Sequence, residues 1–344
     1  MIPQWLSDLL RTHPAYREED VLKSLFQSIY GVGHLLSEPL SVQRYIVKET
    51  SEAGPNRNEP LTERVGDWLR LNLRPARDMG LQPAWIAAMM CASPAPATAD
   101  RRSLIGTLAQ CGSIPGMDMD RLFDQAEELA ARPKALPSHS DSVHRFEDPR
   151  YRLIHSDWSP VITVLTALAK LPEAQPRLIT IDGRCGAGKT TLAEKLKIVL
   201  NCPVLHTDDF VIPHAQKTAE RLAIPGGNED VERIAEEILK PFFAGKELRP
   251  RKYNWYTDAY EDLEPIPAGK LLILEGSYSN LPPIAEHAAL RVFLSIDPDR
   301  QMERLRKRNS PEALQGFINR WIPLEEAYLE AYRLPDKRCL VLEA

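Results

Sequence analysis

Residues 183–191 read GRCGAGKTT, and Gly183, Gly188, Lys189 and Thr190 carry the spacing G-x-x-x-x-G-K-[ST]. Phosphate oxygens must come within hydrogen-bond reach of successive backbone N–H groups, and side chains at the glycine positions would stand in their way. The helix expected to follow adds the partial positive charge of its N-terminus. In this spacing Lys189 reaches the β- and γ-phosphates and the Thr190 hydroxyl ligates Mg²⁺. The context agrees: the apolar run RLITI precedes the loop, and Leu192, Ala193, Leu196, Val199 and Leu200 follow on one helical face. The whole loop is therefore expected to hold a nucleotide: Gly183, Arg184, Cys185, Gly186, Ala187, Gly188, Lys189, Thr190 and Thr191. No Asn-Lys-x-Asp element for reading guanine is present, which favours ATP. The Cys185 thiol inside the loop reads as a bystander.

Acidic residues recur where strands are expected to end, the place where open α/β sheets bind ligands. Asp208 and Asp209 close the run VLHTDDF, and Glu275 closes LLILEGSYS. A carboxylate at 208 or 209 can take the proton of an acceptor hydroxyl and help orient Mg²⁺. A charge at the end of an apolar strand such as Glu275 is costly unless a metal or hydrogen bonds receive it. Asp297, in FLSIDPDR, reads as the cap of the next helix. Arg300, Arg304 and Arg308 recur every fourth residue on one helix face, with Arg306 beside them. Next to a triphosphate such a face would close over developing negative charge.

The acceptor side is less marked. RKYNWYTDAYED, residues 251–262, is expected as a loop. Its Tyr253, Trp255, Tyr256 and Tyr260 either stack on a planar ring or anchor the loop. IPGGNED reads as a turn into a helix, with Asp230 and Arg233 available to an acceptor, and Asp209 stands on the same side as Asp208. His139, His144 and His155 share a proline-broken segment, but their spacing matches no standard metal-ligand set, so surface histidines are expected. His34 is expected to end or cap an early helix.

These groups need a frame. The chain has 344 residues and a formal net charge of −5, and neither half is basic, which argues against a sequence-independent grip on nucleic acid. Five dispersed cysteines without C-x-x-C spacing suggest free thiols in a reducing compartment. The start carries no secretory pattern and the most apolar stretches are too short to span a bilayer, so a cytoplasmic protein with no membrane contact is expected. Residues 1–130 are expected to form a mainly helical domain, with Val21, Leu22, Leu25, Phe26 and Ile29 at helix spacing, as are Leu122, Phe123, Ala126, Leu129 and Ala130. The proline-rich segment 131–157 reads as a linker or strap. Residues 158–344 alternate apolar β runs with helices, the pattern of a parallel α/β sheet covered on both faces.

IDGRCGAGKTTLAEKL, HTDDF, LEGSYS and VFLSIDPDRQMERLRKR occur in the order and rough spacing of the uridine kinase and phosphoribulokinase group. GGNEDVERIAEEIL and INRWIPLEEAYLEAY resemble its bacterial uridine-kinase-like branch. The resemblance covers about half the chain. It implies a P-loop NTPase α/β/α sandwich that transfers the γ-phosphoryl group of ATP to a hydroxyl of a nucleoside-like small molecule, with Mg²⁺. By that resemblance Asp208 matches the carboxylate that activates the acceptor, Thr190 and Glu275 match metal positions, and the arginines, Arg304 and Arg308 among them, match a phosphate-clamping lid. The acceptor-side Tyr-Asp of the family stands here as Tyr253-Asn254. Asp208 is followed by Asp209-Phe210-Val211, where uridine kinases more often carry serine and tyrosine nearby. FQSIYGVGHLLSE and HSDSVHRFEDPRYRLI resemble a helical extension found on some proteins of this branch, for which acceptor recognition, homo-oligomer formation and regulation are all open roles. The rival readings are a nucleotide-responsive binding module and a nucleic-acid end kinase, the latter disfavoured by the acidic balance.

Overall fold

The computed structural model describes residues 1–31, 39–93, 100, 102–132, 135–173 and 175–344. His34 and most of the ASPAPATAD stretch lie outside the described residues. The chain divides into two compact units, Met1–Ser159 and Pro160–Ala344.

The first unit opens with α1 (Gln4–Thr12), α2 (Glu18–Tyr30) and α3 (Pro39–Glu52). Strands β1 (Thr62–Val65) and β2 (Trp68–Asn72) follow, then α4 (Leu73–Asp78), α5 (Pro83–Ala92), α6 (Arg102–Cys111), α7 (Met119–Ala131), α8 (Asp141–Phe146) and β3 (Tyr151–His155). Each helix start has a local cause. The Asp20 carboxylate accepts the Arg17 N–H at 2.9 Å to open α2. Asp118 caps α7 through the N–H groups of Asp120 and Arg121, and Ser140 caps α8 through that of Val143. The expected helical stripes of α2 and α7 meet: Val21, Leu22, Leu25 and Phe26 pack in one cluster with Leu122 and Ala126, joined by Leu104 and Leu108 of α6.

The unit is mainly helical, as expected, and also carries a small antiparallel sheet of β1, β2 and β3 in that order. Residues 131–157 are not a free strap, because they supply α8 and the strand β3, which pairs with all five residues of β2. Proline density concealed a five-residue strand, YRLIH, lying between the last proline of that segment and the next helix.

The second unit begins with α9 (Ser159–Leu168), β4 (Arg177–Gly183), α10 (Lys189–Leu200), β5 (Val204–His206) and α11 (Ala219–Leu222). One helix then runs through α12 (Val231–Ile234), a π-helical turn (Ala235–Leu239) and α13 (Lys240–Phe243). A hairpin of β6 (Arg251–Asn254) and β7 (Ala259–Asp262) precedes β8 (Leu271–Glu275), α14 (Pro282–Ala285), β9 (Ala288–Ser295) and α15 (Pro298–Arg308). The end is α16 (Pro311–Gly316), a second π-helical turn (Phe317–Trp321), α17 (Ile322–Tyr332) and β10 (Cys339–Glu343). The sheet order is β10-β9-β4-β8-β5, every pairing parallel. β4 and β8 are buried almost end to end, as strands covered by helices on both faces must be. This is the α/β/α sandwich of P-loop proteins. The helix accommodates Pro323 through the preceding π-helical turn, which absorbs the missing proline N–H without ending it. Residues 251–262, expected as a loop, form the β6–β7 hairpin because Tyr253 and Tyr260 face each other across it. No helix among the described residues is long and apolar enough to cross a membrane.

His13 sits at the start of the first unit between two carboxylates, with Nε2 2.6 Å from Glu63 and Nδ1 2.7 Å from Glu147. Burial opposes its protonation, but the hydrogen bonds to Glu147 and Glu63 win and push its pKa up to about 9. A folded-state value above the unfolded one means the stabilisation is complete below about pH 6.5 and lost as pH rises through 9. His13→Gln is therefore expected to lower the unfolding free energy by on the order of 2–3 kcal/mol at pH 6. Denaturant titrations should show the gap narrowing by pH 10, and a gap of constant size would contradict the charge assignment.

Candidate active site

The phosphate loop leaves the middle of the sheet. At the end of β4, Asp182 is fully buried and accepts three hydrogen bonds: from the Gly183 N–H at 2.7 Å, the Asn280 N–H at 2.8 Å and the Tyr328 hydroxyl at 2.7 Å. Burial holds its carboxyl above the ordinary range despite these donors. Gly183 has φ +138°, and a Cβ there would lie 2.3 Å from the Leu294 carbonyl oxygen, so only glycine lets the strand turn beside β9. Gly188 has φ +98° with no atom within 4 Å of a would-be Cβ, which leaves that side of the loop open to a ligand.

The rest of the loop is held from behind. Glu325 of α17, buried, accepts the Cys185 N–H at 2.9 Å and the Ser277 hydroxyl at 2.6 Å. The Gln301 side chain donates to the Cys185 carbonyl at 2.9 Å. Arg304 donates to the carbonyls of Gly186 and Ala187 at 3.1 and 3.3 Å. Arg184 turns outward to Glu326 at 2.6 Å. The Cys185 thiol is pushed up to about 12, by burial first and the Glu325 charge second, and stays a protonated bystander. Lys189 arches over the loop, donating to the Gly183 carbonyl at 2.7 Å, the Arg184 carbonyl at 3.2 Å and the Ser277 hydroxyl at 3.2 Å.

The carboxylates arrive from two neighbouring strands. β8 lies between β4 and β5, and Glu275 at its end is in register with Ile181 on one side and His206 on the other. Glu275 Oε1 accepts from Thr190 at 3.0 Å and lies 2.5 Å from His206 Nδ1. That hydrogen bond raises the His206 pKa, burial opposing it. Asp208 follows two residues later in a 3₁₀ turn, exposed to solvent. Its carboxyl is raised above the ordinary value, by desolvation first and by the charges of Glu275 and Asp209, while Lys189 and His206 pull the other way. The carboxyl group thus shares one electrostatic environment with the loop lysine and with Glu275, and it is partly desolvated although the residue lies at the surface. Thr190 bonds Glu275 directly, and Asp208 lies within the electrostatic reach of Glu275 and Lys189.

The other expected residues have different places. Asp297 caps α15 through the N–H groups of Asp299 and Arg300. Of the arginine face, Arg304 reaches the loop, whereas the Arg308 guanidinium lies 5.5 Å over the Phe317 ring and Arg300 and Arg306 are exposed. Asp230 and Arg233 are buried and paired with each other at 3.1 Å. Arg233 also donates to the carbonyls of Asp209 and Arg251 and lies over the rings of Phe210 and Tyr260. The pair braces the Asp209 turn against the hairpin, and neither side chain is free for an acceptor. Tyr253 is buried and bonded to Asp258 and the His214 N–H, an anchor of the hairpin, while Trp255 and Tyr256 stack on each other in the open with centroids 4.0 Å apart. Asp209 pairs with Lys252 at 3.4 Å. Among the described residues no His, Cys, Asp and Glu group assembles a metal site of its own, the three histidines included.

Four functional residues escaped sequence reasoning: Asp182, His206, Ser277 and Glu325. Asp182 stands directly before the loop at the end of an apolar strand and was visible on that ground. Glu325, some 140 positions away, had no local signal. Glu229 was also missed; it is buried, with Oε2 unpartnered, and burial together with the charges of Asp208 and Asp182 lifts it well above the ordinary range.

No protein-family model matches the chain, and no curated protein matches it. Among solved structures it is similar to a possible uridine kinase from Bacillus stearothermophilus, at 23% identity and a TM-score of 0.42, over 55% of this chain and 98% of the other. It is similar to a Silicibacter protein provisionally described as a fructose transport system kinase, at 18% identity and a TM-score of 0.42, over 51% and 95%. It is also similar to phosphoribulokinase from Rhodobacter spheroides, at 16% identity and a TM-score of 0.31, over 47% and 66%.

Two substitutions probe this arrangement. Glu325→Ala leaves the buried Cys185 N–H without an acceptor and is expected to cost about 1–3 kcal/mol of stability and to weaken nucleotide binding several-fold, read by denaturation and calorimetry. An unchanged unfolding free energy would show that the loop does not depend on α17. Glu229 has a folded-state pKa above its unfolded one, so its carboxyl progressively destabilises the fold as pH rises above 4.5. Glu229→Gln is expected to gain stability relative to the parent between pH 5 and pH 8, and parallel pH curves would refute it.

Proposed function

We propose that the second unit is an ATP-dependent phosphotransferase acting on a hydroxyl of a small molecule. The observation that carries this reading is the convergence of Lys189, Thr190, Glu275 and Asp208 at the C-terminal ends of three adjacent strands. Gly183 to Thr191 would hold the triphosphate through backbone N–H groups and Lys189. The hydroxyl of Thr190 and the carboxylate of Glu275 form an oxygen set suited to Mg²⁺, with Asp208 within the same field. When bound there, Mg²⁺ neutralises charge on the β- and γ-phosphate oxygens.

In the reaction, Asp208 takes the acceptor O–H proton. The oxygen so released forms the bond to the γ-phosphorus as the bond to the β,γ-bridging oxygen breaks, and ADP departs with that electron pair. Its raised pKa makes Asp208 a stronger base than an ordinary aspartate. Lys189 releases the loop carbonyls to meet the transferring group, and Arg304, already on the loop, adds positive charge beside it. A nucleoside-like acceptor is proposed from the sequence resemblance. A reducing, cytoplasmic setting is proposed from the five unpaired cysteines.

The test is an acceptor screen with labelled ATP, nucleosides first, with the product identified by mass spectrometry. Asp208→Asn should lower turnover by about 10²–10⁴-fold while keeping ATP affinity. Turnover equal to that of the parent would remove Asp208 from the base role. ATP binding without product from any acceptor would favour a nucleotide-responsive binding module instead.

A further inference from the structure

The first unit contains a pocket of about 430 Å³ that the phosphate loop does not use. α2, α3, α8 and β3 contribute to its walls, and its lining mixes apolar groups such as Phe26, Met90 and Leu136 with Lys23, His139 and Tyr151. Among the described residues no aspartate or glutamate lines it. Its volume is within the range of small-molecule sites.

One wall is a polar chain with a single direction. The Arg70 guanidinium, buried, donates twice to Gln27 Oε1 at 3.0 and 2.7 Å, and to Ser24 Oγ at 2.8 Å and the Tyr16 hydroxyl. The Gln27 amide donates to the Tyr151 hydroxyl at 2.9 Å. Burial, with the charges of Lys23 and Arg70, holds His139 down to about 4, so it is neutral at physiological pH. Asp20 is held to about 2, because hydrogen bonds from His139, Ser140 and the Arg17 amide outweigh its burial. The His139 proton therefore sits on Nδ1, donated to Asp20 at 2.7 Å, and Nε2 accepts from the Tyr151 hydroxyl at 2.8 Å. Every group from Arg70 to Asp20 hands a hydrogen to the next.

Lys23 lies outside this chain. Among the described residues its ammonium makes no ion pair or hydrogen bond, while burial and the neighbouring Arg70 charge lower its pKa to about 8. The other basic group on the lining that is always charged, Arg152, is already paired with Glu49. Arg70 itself meets neutral oxygens and the Tyr151 ring, 4.8 Å away; among the described residues no carboxylate bonds to it, and Glu63 acts on it only through space. Asp20 offsets part of the Lys23 burial cost through space, but a half-buried cation without a bonded anion among the described residues is costly until an anion meets it.

We propose that this pocket is a second ligand site, which takes a small organic anion with a flat apolar body and seats its acidic group on Lys23. The apolar lining covers the body, and the Arg70–Asp20 chain keeps the wall in one protonation state.

The test uses the full chain and two fluorescent probes with the same ring frame. One is 8-anilinonaphthalene-1-sulfonate; the other is neutral N-phenyl-1-naphthylamine. The parent should bind the sulfonate at one site at least tenfold more tightly than the neutral probe. Lys23→Met should abolish the preference, Lys23→Arg should keep most of it, and Lys189→Ala should leave it unchanged. Should Lys23→Met fail to fold by circular dichroism, Lys23→Gln carries the same expectation. Equal affinity for the two probes, a preference that survives loss of the Lys23 charge, or one that disappears with Lys189→Ala would each overturn the proposal.

Discussion

A loop that binds phosphate through its backbone must keep a set of N–H groups unpaired and aimed at one point, and every other polar group in it has to be satisfied elsewhere. In this chain that condition organises the second unit. Asp182 takes the Gly183 N–H, Glu325 the Cys185 N–H, Gln301 the Cys185 carbonyl and Arg304 the carbonyls of Gly186 and Ala187. The tethers come from the strand before the loop, from α15 and from α17. Helices at the far end of the sequence are therefore part of the loop's rigidity, and α17 reaches it by way of a π-helical turn that realigns its face.

Charge balance follows from the same geometry. Glu275 is too buried to stand without compensation, and Thr190 and His206 supply it at 3.0 and 2.5 Å. Asp208, one strand further out, is left exposed and has no ion pair with an arginine among the described residues. Asp209 beside it pairs with Lys252, and its carbonyl is held by Arg233. Two adjacent aspartates thus separate into one whose backbone and side chain are both held and one left at the surface, a division set by environment rather than by residue type.

The sequence disclosed those parts of the site whose logic is local. Gly183 to Thr190, Glu275 and Asp208 each announce themselves within about ten residues, through a glycine spacing or an acid at the end of an apolar run. Parts that depend on distant packing were hidden. Glu325 is one of two adjacent glutamates on a helix, and nothing in its neighbourhood distinguishes it from Glu326, which faces outward to Arg184. Asp230 and Arg233 looked available because both are charged near a turn, yet three residues apart on a helix they neutralise each other. Tyr253 could be read either as a stacking platform or as an anchor, and only its cross-strand pairing with Tyr260 in a hairpin favours the anchor. The segment 131–157 misled for the opposite reason: its prolines are real, but they precede a strand rather than replace one.

The first unit obeys a different rule, because the buried Arg70 has no carboxylate hydrogen-bonded to it among the described residues. Arg70 occupies the middle of β2, where a leucine would satisfy packing at no electrostatic cost. Its charge is spread through Tyr16, Ser24 and Gln27 and ends on Asp20, on the far side of His139. A guanidinium with five donors in a rigid fork can organise such a wall, and a lysine in its place could not. Burying an ion without a bonded partner is hard to account for by stability alone, since an apolar core there would be at least as favourable. This hydrogen-bonded chain runs along the neighbouring pocket, whose wall includes Gln27, His139 and Tyr151. There Lys23 is the group left to receive an anion.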